Sequence, residues 1–228
     1  MPNLSGRVET PQIYEDLHEK LVTAFFEQGE RLKSEVLRKS YGCSANTIRE
    51  VLLRLSSVGL VSFEDQKGFR VRRASAERQH DLTKFRILLD QEGATLSMQR
   101  GGIGWEAQLS AAHHKLSHIE LQVRKTGKIE PVLSLWSNAE WEFHDTLISA
   151  CGSPLLRETY RTIYDQFRQQ LVTKERNYGY FDGNIAEHQA ILDAALSRDI
   201  PRCRRELHDH LARNLLPDTE VMPHLETS

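Results

Sequence analysis

Apolar residues recur at helical spacing in the first third of the chain. The first stripe predicts an amphipathic helix that ends near Gly29, and it consists of Ile13, Leu17, Leu21, Val22 and Phe25. Ser34 is placed to cap a short second helix over residues 35–41, which the breaker Gly42 ends. Ser44 is placed to cap a third helix, whose apolar stripe is Ile48, Val51, Leu52, Leu55 and Val58.

A short hairpin is predicted directly after the third helix. Gly59 stops that helix, residues 60–63 form a strand pattern, residues 64–68 form a turn, and residues 69–71 form a second strand. Three helices followed by a hairpin are typical of a winged helix-turn-helix, in which the third helix reads DNA and the hairpin is the wing. The polar residues expected to face outward are Asn46, Thr47, Arg49, Lys67 and Arg70.

Beyond residue 76 the apolar pattern is helical throughout, with almost no strand-like alternation. Glycine and proline breakers separate six predicted helices, at about 77–100, 105–125, 130–150, 153–178, 183–198 and 200–215. Six helices of this length predict an all-α antiparallel bundle, whose interior is a common place for a ligand or metal site. We therefore predict a mostly α protein with a winged helix-turn-helix over 1–74, a bundle over 77–216 and a flexible tail over 217–228.

Composition excludes several classes of protein and leaves a local basic region. The 228 residues are 39% hydrophobic and 27% charged, and no apolar run approaches the roughly 20 residues that a membrane span needs. Three widely spaced cysteines and a polar start fit a protein of the reducing cytoplasm.

Positive charge is concentrated in one region of the chain. Residues 38–73 hold eight basic and three acidic side chains, a net charge of +5. Since the whole chain carries −2, the remaining residues carry −7. A basic module on an acidic body suits a protein that contacts phosphates with one domain only, although a solvated charged face has the same count.

Three of the ten histidines fall on apolar faces of predicted bundle helices. His144 follows Glu140 by four residues, so both side chains project from one face of a helix beside Trp136 and Phe143. His188 lies on the apolar side of the next-to-last helix, and His210 is on the apolar stripe of the last one. The remaining bundle histidines lie on polar stretches or have no helically spaced partner.

An apolar interior with one carboxylate and three imidazoles is costly to form unless the polar groups have partners. A divalent ion supplies one, since imidazole nitrogen and carboxylate oxygen suit Zn²⁺ above all, or Ni²⁺ or Mn²⁺, and leave positions for water or an organic acid. Unrelated core histidines, each bonded to backbone or to a carboxylate, fit the spacing equally well.

The two modules together resemble the GntR family of bacterial transcriptional regulators, in its FadR-like subgroup with the all-helical FCD effector domain. The resemblance covers about residues 11–216. In the first module it rests on GERLKSEVLRKSYGCSANTIREVLLRLSSVGLV and on QKGFRV at the wing. In the second it rests on FRILLDQEGATLS, EWEFHDTLISACGSPLL, EHQAILDAALSRD and LHDHLARN.

The resemblance implies a homodimer, with double-stranded operator DNA as one partner and a small organic acid effector in the helical domain as another. It implies DNA contacts at Ser44, Asn46, Thr47 and Arg49 in the reading helix and at Lys67 and Gly68 in the wing. The family's metal ligands match Glu140, His144, His188 and His210.

Three positions depart from the family pattern. Ala45 stands where an arginine often follows the capping serine, and Glu35 replaces an arginine of the preceding helix. Glu140 is one methylene longer than the aspartate that is common as the first metal ligand. Operator sequence and metal preference therefore cannot be transferred from relatives.

Arginines are the candidate effector ligands, because a guanidinium can pair with a carboxylate through two hydrogen bonds. Arg86 and Asp90 match the family's R-x-x-x-E pattern, and Arg86 is the first choice, followed by Arg161 and Arg168. The alternative for Arg86 is a surface ion pair with Asp90 one helical turn away, worth a few tenths of a kcal/mol.

The sequence thus predicts a metabolite-responsive transcriptional repressor that is not an enzyme. A metal-dependent enzyme is the alternative, but Glu140-x-x-x-His144 occurs once, whereas di-iron bundles need two Glu-x-x-His motifs. A DNA-binding protein in which the metal is itself the signal, or is purely structural, remains a third possibility.

Overall fold

The computed structural model describes residues 9–173 and 178–217, which form two strands and a succession of helices. The elements are α1 (Thr10–Val22), α2 (Ser34–Tyr41), α3 (Ala45–Ser57), β1 (Val61–Glu64), β2 (Gly68–Val71), α4 (Ala76–Arg100), α5 (Ile103–Thr126), α6 (Leu133–Ile148), α7 (Pro154–Leu171), α8 (Asn184–Leu196) and α9 (Ile200–Ala212). The predicted fold class, a winged helix-turn-helix followed by an all-helical domain, is confirmed. The tail predicted over 217–228 lies almost entirely outside the described residues.

The first module, which we call the head, comprises α1 to β2. Gly42 ends α2 in the left-handed conformation (φ 64°), and the Ser44 side chain accepts a hydrogen bond from the Thr47 backbone N–H at 3.1 Å to begin α3. β1 and β2 pair antiparallel, and the pairing runs from Val61 opposite Val71 to Glu64 opposite Gly68. The predicted stripes of α1 and α3 meet in one apolar core, which includes Ile13, Leu17, Ile48, Val51, Leu52 and Leu55.

The first helix is shorter than its stripe predicts. It ends at Val22, Ala24 adopts a left-handed backbone (φ 57°), and Phe25 is 68% exposed instead of packing in the core. A left-handed residue turns the chain off the helix axis, so the next apolar position no longer lies on the buried face.

The second module, which we call the bundle, comprises α4 to α9. α5 packs against α6 and α8, and α4 packs against α7 and α9. α7 ends at Leu171 rather than at the predicted residue 178, because Val172 leaves helical geometry (ψ 83°) and is buried in the bundle core. No helix in the described ranges is both long enough and apolar enough to cross a membrane.

Helix α7 joins the head to the bundle through glutamine side chains. The amide Nε2 of Gln166 donates to the Val58 carbonyl, and that of Gln169 donates to the Leu60 carbonyl, both at 3.0 Å. The side-chain oxygen of Gln170 accepts from the Ser75 N–H at 3.1 Å. These bonds fix the end of α3 and the linker between the two modules against α7.

Candidate functional site

Three predicted metal ligands come together in the interior of the bundle. His144 of α6, His188 of α8 and His210 of α9 are 0%, 1% and 5% exposed, and one ring nitrogen of each lies within 4.8 Å of the others. Their ring centroids are 4.7–5.6 Å apart. We call these residues the histidine cluster. Three imidazoles at this spacing can share one divalent ion.

The α6 stripe explains how this cluster forms. The inward face of α6 is buried over three turns and consists of Trp136, Glu140, Phe143, His144 and Leu147. Positions four residues apart lie one above the other on a helix, so Glu140 sits on the same face as His144. The local spacing therefore predicted the facing of these two side chains correctly.

Glu140, the fourth predicted ligand, is engaged with an arginine. Its Oε2 lies 3.1 Å from Nη1 of Arg168, an ion pair between two buried side chains in which Oε2 accepts no hydrogen bond of acceptable geometry. Burial acts to raise the pKa of Glu140, but Arg168 and Arg86 outweigh it and hold the pKa below its ordinary value. Glu140 is thus a carboxylate on the same helix face as His144, and Arg168 is its ion-pair partner among the described residues.

Two of the cluster's histidines, His144 and His210, favour the neutral imidazole form. Burial lowers the pKa of His144, and Arg86 lowers it further. Burial also lowers the pKa of His210, and His188 and His144 add to that effect. A neutral imidazole has a free lone pair, which is the form that binds a metal ion.

Arg86 and Asp90 form an ion pair, but not on the surface. Both side chains are fully buried, and Nε of Arg86 lies 3.3 Å from Oδ2 of Asp90. The guanidinium packs over the rings of Tyr164 and Phe167, each at 4.6 Å from the ring centroid. The surface alternative for this pair is therefore wrong, because the R-x-x-x-D face of α4 turns toward α7.

Many of the buried polar atoms that have no hydrogen-bond partner among the described residues lie on side chains around the histidine cluster. They include Nη1 and Nη2 of Arg86, Oδ1 of Asp90, Oε2 of Glu140, both ring nitrogens of His144, the hydroxyls of Tyr160 and Tyr164, Nε of Arg168 and Nε2 of His188. Buried donors and acceptors in native proteins almost always have partners. This set suits a cation at the imidazoles and a small oxygen-rich anion at the guanidiniums.

The structure separates the three candidate effector arginines. The positive charges of Arg168 and Arg86 both lower the pKa of Glu140. Arg161 instead packs over Trp141 at 4.1 Å and pairs with Asp165 at 3.0 Å. Arg161 and Arg168 also line a cavity of about 300 Å³ between α1 and the helices α6 and α7. Arg161 therefore faces the junction between head and bundle.

Several polar residues of the bundle interior escaped the sequence interpretation. Glu120 is fully buried, and the signal for it was a charged residue on the α5 stripe formed by Leu116, Ile119 and Val123. Tyr160 and Tyr164 lie one turn apart on α7 and point inward together. His113, expected on a polar stretch, is 6% exposed and packs 5.7 Å from the ring of Phe143.

The predicted DNA contacts lie on the reading helix and the wing. Ser44, Asn46 and Arg49 are exposed at the start of α3, and Thr47 is partly buried. Lys67 is exposed beside Gly68, which has φ 79°, and its Nζ lies 2.9 Å from Oε2 of Glu64. Exposed polar side chains at the start of a helix and at the tip of a wing can contact phosphates and base edges.

Arg70 and Glu35, two other charged residues of the head, form hydrogen bonds within the head. Arg70, expected to face outward, is half-buried, because its Nη1 donates to the Gly29 carbonyl at 3.2 Å. Glu35 accepts two hydrogen bonds from Arg38, at 2.6 and 2.7 Å. Glu35, which stands where the family has an arginine, therefore also engages the neighbouring Arg38 in an ion pair.

Comparison with known proteins identifies the chain. Residues 9–71 match the model for bacterial regulatory proteins of the gntR family, and residues 81–213, more than half of the chain, match the FCD domain model. The chain belongs to the GntR family. This GntR protein is 31% identical, over 89% of its length and 82% of the relative's, to the uncharacterized HTH-type transcriptional regulator BphR of Paraburkholderia xenovorans. It is 27% identical to the HTH-type transcriptional repressor GlaR of Escherichia coli, over 87% and 90% of the two chains.

Solved structures of GntR proteins have the same fold. Escherichia coli McbR/YncC superposes with a TM-score of 0.75 at 22% identity, over 91% of this chain and 95% of that one. A transcriptional regulator from Rhodococcus sp. RHA1 gives a TM-score of 0.72 at 19% identity, over 90% and 96%. The relatives are transcriptional regulators, so the prediction that this GntR protein is a DNA-binding regulator and not an enzyme is confirmed.

Proposed function

We propose that this GntR protein is a homodimeric repressor whose affinity for operator DNA changes when a small carboxylate binds beside a divalent metal in the bundle. The observation that carries the proposal is the convergence of three buried imidazoles with unpartnered arginine and tyrosine groups. The GlaR relative bears the name of a repressor, which favours that direction of regulation.

The ligand set supports a metal ion. His144, His188 and His210 supply three nitrogens, and Glu140 lies one helical turn from His144. Nitrogen and carboxylate donors favour Zn²⁺, with Ni²⁺ or Mn²⁺ as alternatives. When bound, the ion supplies a positive charge that attracts an anionic effector.

Arg86 and Arg168 are the effector ligands that we favour. Both terminal nitrogens of Arg86, Nη1 and Nη2, are buried without a hydrogen-bond partner among the residues that the structure describes, which suits two parallel hydrogen bonds to one carboxylate. The hydroxyls of Tyr160 and Tyr164 are further partners for oxygen atoms of the same molecule. A small hydroxy acid or dicarboxylate fits this inventory.

Helix α7 connects the effector site to DNA. It carries Tyr160, Tyr164 and Arg168 on the side of the buried site and Gln166 and Gln169 on the side of the head. An effector that moves α7 therefore also moves the bonds to the end of the reading helix. The coupling is reciprocal, so bound DNA weakens effector binding by the same factor.

Exposed apolar residues on α4 support self-association. Phe85 and Leu88 are 44% and 59% exposed, three residues apart on one helix. A second copy of the chain is the partner that we propose, since a two-fold dimer matches a pseudo-palindromic operator.

A mobility-shift titration on the chain's own promoter region tests the proposal. The parent should bind in a salt-sensitive manner, and adding Zn²⁺ with a panel of organic acids should release the DNA. His188→Ala and Arg86→Gln should bind DNA but lose the response. Release by metal alone would make the metal the signal. Equal responses of parent and both variants would refute the proposed site.

A further inference from the structure

Each imidazole of the histidine cluster faces a carboxylate from another part of the bundle. Nδ1 of His210 lies 2.7 Å from Oε2 of Glu187, and Nδ1 of His188 lies 3.3 Å from Oε1 of Glu120. Nδ1 of His144 lies 3.7 Å from Oδ1 of Asp90, just beyond hydrogen-bond distance. In all three pairs the nitrogen that meets the carboxylate is Nδ1.

The opposite nitrogens face no protein partner. Among the described residues, Nε2 of His144 and Nε2 of His188 are buried and have no hydrogen-bond partner, and the polar contacts of His210 use Nδ1. The shorter of these, at 2.7 Å, is with Glu187, and the longer, at 3.5 Å, is with Nη2 of Arg213, which itself donates to Glu187. A neutral imidazole carries its proton on one nitrogen and its lone pair on the other. A carboxylate accepts only, so a neutral imidazole that faces one with Nδ1 carries its proton there and its lone pair on Nε2.

Of the three carboxylates, Glu120 depends most on its histidine for a hydrogen-bond donor. It is fully buried, and His188 is its one ion-pair partner among the residues that the structure describes. Its remaining side-chain contact is a long hydrogen bond from the Trp136 indole at 3.4 Å. Burying a carboxylate with so few hydrogen-bond donors costs free energy. An N–H of His188 directed at Glu120 reduces that cost.

Asp90 links the cluster to the effector arginine. Its Oδ2 faces Nε of Arg86 at 3.3 Å while its Oδ1 faces His144. Glu187 is shared in a similar way, since its Oε2 contacts both His210 and Arg213. Each carboxylate is therefore held by a second group that fixes its direction.

We propose that Asp90, Glu120 and Glu187 are positioning residues that hold a proton on Nδ1 of the three histidines and so direct their Nε2 lone pairs at one metal ion. This inference rests on the proposed function for the metal, but its tautomer component does not. Partners of this kind typically contribute 10- to 100-fold to metal affinity through ring orientation and ligand basicity.

Glu120→Gln in the full chain is the test, with two readouts. Competition with a chromophoric chelator should show Zn²⁺ affinity reduced by about 10- to 100-fold. Nitrogen-15 spectra of the histidine rings in the metal-free protein should show His188 protonated at Nδ1 in the parent and a shifted tautomer ratio in the variant. Glu142→Gln, which removes the exposed partner of Lys115, is the matched control and should change neither.

Glu187→Gln repeats the measurement at His210, and it serves as the second variant if Glu120→Gln does not fold, because the Glu187 side chain is partly exposed. Unchanged Zn²⁺ affinity and unchanged tautomers in both variants overturn the inference. If the parent binds no Zn²⁺, Ni²⁺ or Mn²⁺, the proposed metal function fails together with the metal-directing role. The ring spectra then still decide whether the carboxylates hold the protons.

Discussion

Gly59 and Gln166 meet where the end of the DNA-reading helix rests on α7. Gly59 has φ 78°, and a Cβ added there would lie 2.7 Å from Nε2 and 2.8 Å from Cδ of Gln166. Gln166 is a flexible side chain, so Gly59→Ala should push its amide away and break the 3.0 Å bond to the Val58 carbonyl. The substitution therefore adds backbone strain and removes an interdomain hydrogen bond.

The two costs can be separated. A left-handed backbone costs a non-glycine residue about 1 kcal/mol or somewhat more. A lost hydrogen bond of this kind costs about 1 kcal/mol. Gly59→Ala should therefore reduce the free energy of unfolding by about 2 kcal/mol in the parent but by only about 1 kcal/mol in a Gln166→Ala background, where the amide is already absent. The expected coupling energy is about 1 kcal/mol.

Urea unfolding of the four proteins measures this coupling. Circular dichroism reports both modules, and fluorescence reports the bundle, which holds all three tryptophans. Gly127→Ala is the matched control, because Gly127 is also left-handed (φ 66°) but a Cβ there meets nothing within 4 Å. It should cost the same in both backgrounds. An equal cost of Gly59→Ala in both backgrounds would refute the contact as a link between the modules.

Three further predictions concern the sites. Ser44→Ala should lower the free energy of unfolding in urea by about 1 kcal/mol through loss of the α3 cap, and no change would argue against the cap. Arg49→Ala should reduce the slope of log K against log salt for DNA binding by about one per bound chain, and an unchanged slope would place it away from phosphates. The metal-free protein should lose stability as pH falls below about 6.5, because unfolded histidines take up protons that His144 and His210, whose pKa values are lowered, do not. A pH titration of its melting temperature checks this, and His144→Gln combined with His210→Gln should flatten the curve.

Much of the architecture was predictable because it is encoded locally. Helical spacing, Gly42 and Ser44 predicted the reading helix, and the glycine and proline breakers predicted the bundle helices. Boundaries were less predictable. No glycine or proline lies at Ala24 or Val172, where the chain leaves helical geometry, so the exposure of Phe25 and the early end of α7 have no breaker in the sequence to mark them.

The site was predictable only in part, for the same physical reason. Spacing along one helix determines which side chains share a face, so Glu140 and His144 were recognised together from the sequence. It cannot determine which faces of different helices meet, because that depends on packing between residues far apart in the chain. The convergence of His188 and His210 on His144, the burial of Arg86 with Asp90, and the outlying position of Arg161 were decided by the tertiary structure. So was the arrangement of Asp90, Glu120 and Glu187 around the imidazoles, since each carboxylate reaches its histidine across a contact that no local pattern encodes.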